Sequence, residues 1–512
     1  MSDWPHGYVT EVPYTYGFYP EGVAARLDWL ALSQGANPPA AGGTVLELGC
    51  GQGFGLCLMA AADPTRQYIG VDFNPAHIAH AEALAARAGL TNARFLEGDF
   101  LALSALPVLP WGAVDYVLAH GIIAWIEAPV RAALFALIER SLRPGGLAML
   151  SYNTLPGWLA SHPLQRLMRE FAARQGVGAA AFAGALEAAK RLGAAQAVLF
   201  TAQPGLPARL EKIQAQRAQG QDDYLFHEYF NAAWTPFYCT EVMAEARAAK
   251  LEFLGSAMLG DNEIGLIPPA QREMLGAAED VPLRELYRDL LTNQMFRRDV
   301  FVRGRVPLWS GEQRARLRAQ RFSLVRVPGR VSLAFKTGFV TVQGKPEVYQ
   351  PLLVALERGA AFSLAELSAA LPGIAETRLA QALSLLIDAG VVVAGAASAD
   401  ASPARAFNRA VVDAASAGAP AYRHLALPGS GAGVALEAPQ MLALAAYWAE
   451  GARELPALAR AVAARLEALG RQLRRDGQAL APGAATEAEL MRQLDPFLGE
   501  TLPLLQRLGV LD

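Results

Sequence analysis

The stretch Val45–Gly55, V-L-E-L-G-C-G-Q-G-F-G, constrains this chain more than any other. It joins a hydrophobic run, an acid near the end of that run and glycines at 49, 51 and 53. Without a Cβ, glycine turns sharply and lets the backbone approach a neighbour more closely than other residues allow. The stretch therefore predicts a buried strand, a tight turn and a helix start, with turn backbone facing something bound.

The spacing is G-x-G-x-G and lacks the extra residue of the dinucleotide fingerprint, and Glu47 stands where a pyrophosphate would meet like charge. A carboxylate there suits a cofactor whose near end carries an ammonium group, as S-adenosylmethionine does. Further along, Q-Y-I-G-V-D (67–72) reads as a second strand ending in Asp72, where an acid can accept both ribose hydroxyls. The runs 93–100, 113–121 and 142–153 supply a third strand followed by Asp99, a fourth followed by His120, and a fifth ending in Tyr152-Asn153. Helical segments alternate with these strands, which predicts a parallel, doubly wound α/β sheet with its ligand outside the carboxyl ends of the strands. This pattern resembles the class I S-adenosylmethionine-dependent methyltransferases, with a Rossmann-like sheet.

At 512 residues the chain exceeds one ordinary core, so several domains are expected. Its hydrophobic share is 53%, much of it alanine, with no apolar run of membrane-spanning length. The start M-S-D-W-P-H-G-Y lacks a signal-peptide pattern, and Cys50, Cys57 and Cys239 are too few for a disulfide framework, so a cytoplasmic location is expected. Cys50 and Cys57 have no zinc spacing, and no metal is expected. The net charge of −3 gives no general attraction to nucleic acid, and no nucleic-acid partner is expected.

After the fifth strand the chain turns helical, with apolar positions at helical spacing over 163–220, and then C-T-E-V-M-A-E-A-R-A-A-K-L-E-F-L-G-S-A (239–257) reads as a helix and a sixth strand. The helical block is then an insertion, expected to serve as a substrate lid. With E-V-P-Y-T-Y (11–16), H-G-I-I-A-W (120–125), S-Y-N-T-L-P-G-W (151–158), the His227-Glu228-Tyr229 segment and M-F-R-R-D-V-F-V-R-G (295–304), residues 8–310 resemble the bacterial methyltransferases carrying a methyltransferase regulatory domain. That group includes rickettsial protein-lysine methyltransferases acting on outer-membrane proteins. One departure is Glu21-Gly22, where the family pattern usually has a His-Pro pair.

The expected organisation is a cofactor-binding domain from 1–157 and 225–267, a helical insertion over 158–224 and a helical connecting segment over 268–321. A winged-helix-like α+β unit over 322–398 and a C-terminal helical region over 399–512 follow. The cofactor set is expected to be Glu47, Gly49, Gly51, Gly53, Asp72, Phe73, Asp99, Phe100 and His120, with the pocket complete without the residues beyond about 320. Methyl transfer from a sulfonium needs alignment and dryness more than strong acid or base. An amine acceptor must be neutral, so Tyr152 and Asn153 are candidates to orient it, with Tyr14 brought in as the resemblance implies. Trp125, Trp158, His227 and Glu228 are the candidate substrate-binding residues. The implied activity is N-methylation of protein lysine side chains by a homodimer. A small-molecule N- or O-methyltransferase and a non-catalytic scaffold are the alternatives.

Overall fold

The computed structural model describes residues 15–218, 222–395, 400–418, 422–475 and 478–511, so Tyr14 lies outside the described residues. Seven strands form the central sheet: β1 (Thr44–Leu48), β2 (Gln67–Asp72), β3 (Ala93–Glu97), β4 (Val114–Ala119), β5 (Leu142–Asn153), β6 (Leu251–Ser256) and β7 (Phe296–Arg303), in the order β3-β2-β1-β4-β5-β7-β6. β1 pairs with β2, β2 with β3 and β4 with β5, all parallel, as strands joined by crossover helices must be. β4 is buried along its whole length, as a sheet covered on both faces requires.

β7 is the departure from the sequence reading, which placed 268–321 in a helical connector. It runs antiparallel to both β5 and β6, with Arg297 opposite Tyr152 and Phe296 opposite Asn153. Its charges hide it: F-R-R-D-V-F-V-R breaks the apolar pattern, yet Arg297 and Asp299 are buried in a shared ion cluster.

The chain divides into two compact units. One comprises Gly98–Ser256 and Ile267–Gly304, and holds β4 to β7 and the helical insertion. In it, helices His162–Gln175, Ala179–Ala194 and Asp222–Phe230 enclose an aromatic core of Trp158, Phe182, Phe226, Tyr229, Phe230 and Trp234. The insertion thus carries its own hydrophobic centre, which lets the added residues fold without disturbing the sheet.

The other unit comprises Tyr16–Glu97, Ala257–Leu266 and Arg305–Asp512. Helices α1 (Ala24–Ser33), α2 (Phe54–Ala62) and α3 (Pro75–Arg87) accompany β1 to β3. α3 begins with a side-chain cap, Asn74 accepting from the Ala76 N–H, and Pro75 in its first turn. A three-stranded sheet of Arg321–Leu324, Phe362–Ser363 and Val392–Ala394 packs with helices Pro346–Glu357 and Glu376–Asp388. α1 is tied to this region: Arg26 pairs with Asp388 at 2.6 Å, and the Trp29 indole donates to Ser384 at 3.0 Å. The C-terminal region is helical with a hairpin, His424–Leu427 against Ala432–Ala435. This hairpin and helix Ser402–Ser416 lie on α2: the Gly429 N–H donates to the Ala62 carbonyl at 2.6 Å, and Phe407 meets Phe54.

Candidate active site

The glycine loop is built on β1 and β2. The N–H groups of Gly49 and Cys50 both donate to the Val71 carbonyl, at 2.8 and 3.0 Å, so the turn leaves β1 held against β2. Gly49, Gly51 and Gly53 have φ of 78°, 53° and 69°, the left-handed region that suits glycine. Gly53 has a second reason to be glycine: a Cβ there would lie 2.4 Å from the Ala81 Cβ of α3.

Asp72 ends β2 and is buried. Its Oδ2 accepts from the Gly51 N–H at 2.9 Å, while Oδ1 accepts from the Asn74 N–H at 2.9 Å and from His77 Nδ1 at 3.1 Å. Three of its roughly four acceptor positions are therefore occupied within the protein. Phe73 follows it, partly exposed. Glu47, partly buried, has its carboxyl pushed up to about 8 by desolvation and by repulsion from Asp72. No described lysine or arginine forms an ion pair with it. Such a carboxyl accepts a cation readily, because an ammonium would remove both causes of its raised pKa.

In the other unit, Asp99 caps helix α4 (Phe100–Ala105), its Oδ1 accepting from the N–H groups of Leu101 and Ala102. Phe100 is buried at the first helical position. His120 follows β4, with its ring 6.0 Å from that of Phe296. At the end of β5 the two candidate residues point to different surroundings, as adjacent strand residues must. Tyr152 is fully buried and its hydroxyl donates to Asp299 Oδ2 at 2.6 Å, beside Arg297. Burial first, then the Asp299 charge, holds this phenol well above its ordinary range. Its hydroxyl is committed to β7 instead of an open slot. Asn153 is 3% exposed, and its amide nitrogen finds no protein partner.

Trp158 meets Trp234 edge-on at 5.0 Å and carries the Arg209 guanidinium over its face, inside the insertion's core. Trp125 packs at the margin of the same core, and its carbonyl accepts from Asn231. His227 and Glu228 are both buried on helix Asp222–Phe230. Burial pushes the Glu228 carboxyl up to about 7, with Arg209 and Tyr224 opposing. Among the described residues, no cluster of histidine, cysteine or acid could hold a metal, and no helix is long and apolar enough to cross a membrane.

The fold and the loop define a methyltransferase: residues 45–146 match the family model "Methyltransferase domain" and 221–303 match "Predicted methyltransferase regulatory domain". An uncharacterized protein of Synechocystis sp. is 34% identical over 522 residues, spanning 99% of both chains. An uncharacterized protein of Rickettsia prowazekii is 29% identical over 300 residues, 57% of this chain and 52% of that one. The structure of PKMT2 from Rickettsia typhi in complex with AdoHcy superposes with a TM-score of 0.67 at 18% identity, covering 97% of this chain and 100% of that one. The chain belongs to the S-adenosylmethionine-dependent methyltransferases that carry a methyltransferase regulatory domain.

Proposed function

We propose that the protein transfers a methyl group from S-adenosylmethionine to the amine of a lysine side chain in a protein. The observation that carries this reading is Asn153: a buried carboxamide at the carboxyl end of β5 whose amide nitrogen has no protein partner. An unmatched buried polar group costs stability and is kept where a ligand completes it. When bound, the cofactor supplies an electrophilic methyl group. Everything else falls to the chain. Glu47 holds the cofactor's ammonium, the glycine turn admits its backbone-proximal face, and Asp72, with an acceptor position left, takes a ribose hydroxyl. Phe73, Asp99, Phe100 and His120 are the further residues that the sequence pattern assigns to the cofactor.

The unmatched Asn153 amide N–H would donate to a carbonyl of the incoming peptide, while its carbonyl oxygen accepts an N–H of the amine and orients the lone pair, which requires that amine to be neutral. Tyr152 acts indirectly, by fixing the end of β5 to β7. The insertion, with Trp125, Trp158, His227 and Glu228, serves as the lid that excludes water. The resemblance of residues 8–310 to rickettsial protein-lysine methyltransferases supports lysine as acceptor, and implies a homodimer that sedimentation would detect. To test the reading, purified protein is incubated with isotopically labelled S-adenosylmethionine and a bacterial protein extract, followed by peptide mass spectrometry. Label on lysine side chains is expected. Label confined to small molecules, or to oxygen, would overturn it.

A further inference from the structure

The glycines that give the loop its shape also give it more freedom to lose than any other residues would. A loop of this kind binds well only if something outside it has already fixed its peptide planes. Two side-chain groups do so. The Asp72 carboxylate takes the Gly51 N–H, and His80 of α3 takes the Gln52 carbonyl, with Nδ1 at 2.6 Å from that oxygen. The Gln52–Gly53 peptide is thereby held at both ends, since the Gly53 N–H donates to the Cys50 carbonyl at 3.0 Å.

The tautomer of His80 follows from its partners. A carbonyl can only accept, so Nδ1 carries the hydrogen, and the neutral ring presents Nε2 as an acceptor. The group at Nε2 is the hydroxyl of Tyr422, 2.7 Å away and 342 residues further along the chain. Burial holds His80 below the ordinary histidine range, consistent with the neutral form. Tyr422 itself is 5% exposed, and its ring stacks on Phe54, the first residue of α2, with centroids 4.7 Å apart and planes 8° from parallel. Tyr16 closes the group, its ring 5.0 Å from His80 and edge-on to Tyr422 at 5.6 Å.

We infer that Tyr422 and His80 are positioning residues for the cofactor loop, so that the C-terminal region sets cofactor affinity from the far side of α3. On this inference the loop's support, unlike its lining, draws on residues beyond about 320. Tyr422 grips the loop from two directions: through His80 onto the Gln52 carbonyl, and through its ring onto the residue after Gly53. Neither residue reaches the reacting atoms, so their loss weakens cofactor binding and leaves the chemical step in place once cofactor saturates.

This inference rests on the S-adenosylmethionine reading above, and the test separates the two. S-adenosylhomocysteine is titrated calorimetrically into the full chain and into Tyr422→Phe, His80→Leu, His80→Asn and the Tyr422→Phe/His80→Leu double variant. Tyr422→Phe keeps the ring stack and should raise Kd about 3- to 10-fold, the range for one hydrogen bond. His80→Leu should raise it by about 10-fold or more, because the Gln52 carbonyl then lacks its donor. His80→Asn, which places a donor near the position of Nδ1, should recover part of that loss. In the His80→Leu background, Tyr422→Phe should add less than about twofold, because the hydroxyl acts through the imidazole. With S-adenosylmethionine as substrate, KM for it rises in parallel while kcat changes by less than about twofold. If His80→Leu does not fold, the Tyr422→Phe result decides. Parent-like Kd in Tyr422→Phe, or equal Tyr422→Phe losses with and without His80, would overturn the inference. Failure of the parent to bind would instead overturn the cofactor reading.

Discussion

Two groups of acids in this protein, one on β7 and helix Val281–Thr292 and one on β1 and β2, have been treated in opposite ways. Around β7, Glu285, Asp289 and Asp299 converge on one guanidinium, Arg297, at 2.9, 2.6 and 2.9 Å. At the glycine loop, Glu47 and Asp72 repel one another, with backbone N–H groups and His77 around Asp72 and no arginine or lysine among the described residues paired with Glu47. Burial raises a carboxyl in both places, but Arg297 and Arg288 more than offset it at Glu285, which lies below its ordinary range. Nothing offsets it at Glu47, which rises to about 8. In the first group one arginine pairs all three acids, although burial still keeps Asp289 and Asp299 above their ordinary range. The second has no such cation beside Glu47 among the described residues.

The comparison breaks most visibly at Arg297. Arg297→Leu leaves buried Asp289 and Asp299 without the arginine that pairs them, while Glu285 keeps Arg288, and should destabilise the fold by about 3–5 kcal/mol, read by urea denaturation. Glu47→Gln should raise stability at pH 7, since the free protein holds that carboxyl largely protonated and unfolding must release the proton. The sign for Glu47 follows from linkage. Its folded pKa lies above the unfolded one, so the ionisable acid costs the cofactor-free protein stability as pH rises from about 4.3 toward 8. Glu47→Gln should remove that part of the pH dependence. A large loss of stability in Glu47→Gln with little in Arg297→Leu would invert the comparison.

A smaller effect is expected at Asp72, which belongs to the ligand-seeking group but also holds the Gly51 N–H. Asp72→Ala should weaken cofactor binding by about 1.5–3 kcal/mol, the range for hydrogen bonds to a charged group, as measured by calorimetry. Asn153→Ala should be milder: turnover falls about tenfold, the worth of one good hydrogen bond, while cofactor Kd stays near the parent value. Parent-like turnover there would move the amine's contact away from β5.

Much of the sheet was legible because its parallel strands are buried on both faces and spell continuous apolar runs, as β4 does. β7 was not, because Arg297 and Asp299 look like solvent-facing charges until their partners from 285 and 289 are placed beside them. The same hidden cluster explains Tyr152. Its neighbour in sequence suggested a shared task, but strand alternation sends its hydroxyl to Asp299 and leaves Asn153 on the other side. The glycine turn was readable from its spacing, since Gly49, Gly51 and Gly53 take the left-handed φ that the spacing called for. Tyr422 was not, since nothing local in A-Y-R-H-L-A-L signals a contact with a histidine 342 residues earlier. Periodicity reports which face is buried and is silent on what lies against it.

The central claim is that Glu47 is an acid waiting for a positive charge. Calorimetric titration of S-adenosylmethionine between pH 5.5 and 7, in buffers of differing ionisation enthalpy, tests it directly, because the ligand's ammonium stays charged over that range. Glu47 is protonated in the free protein and must ionise to pair with the ammonium. Binding should therefore release close to one proton, and affinity should climb by up to about tenfold per pH unit. Both signatures should vanish in Glu47→Gln. Binding that releases no proton and holds a constant affinity over this range, or an unchanged profile in Glu47→Gln, would contradict the account.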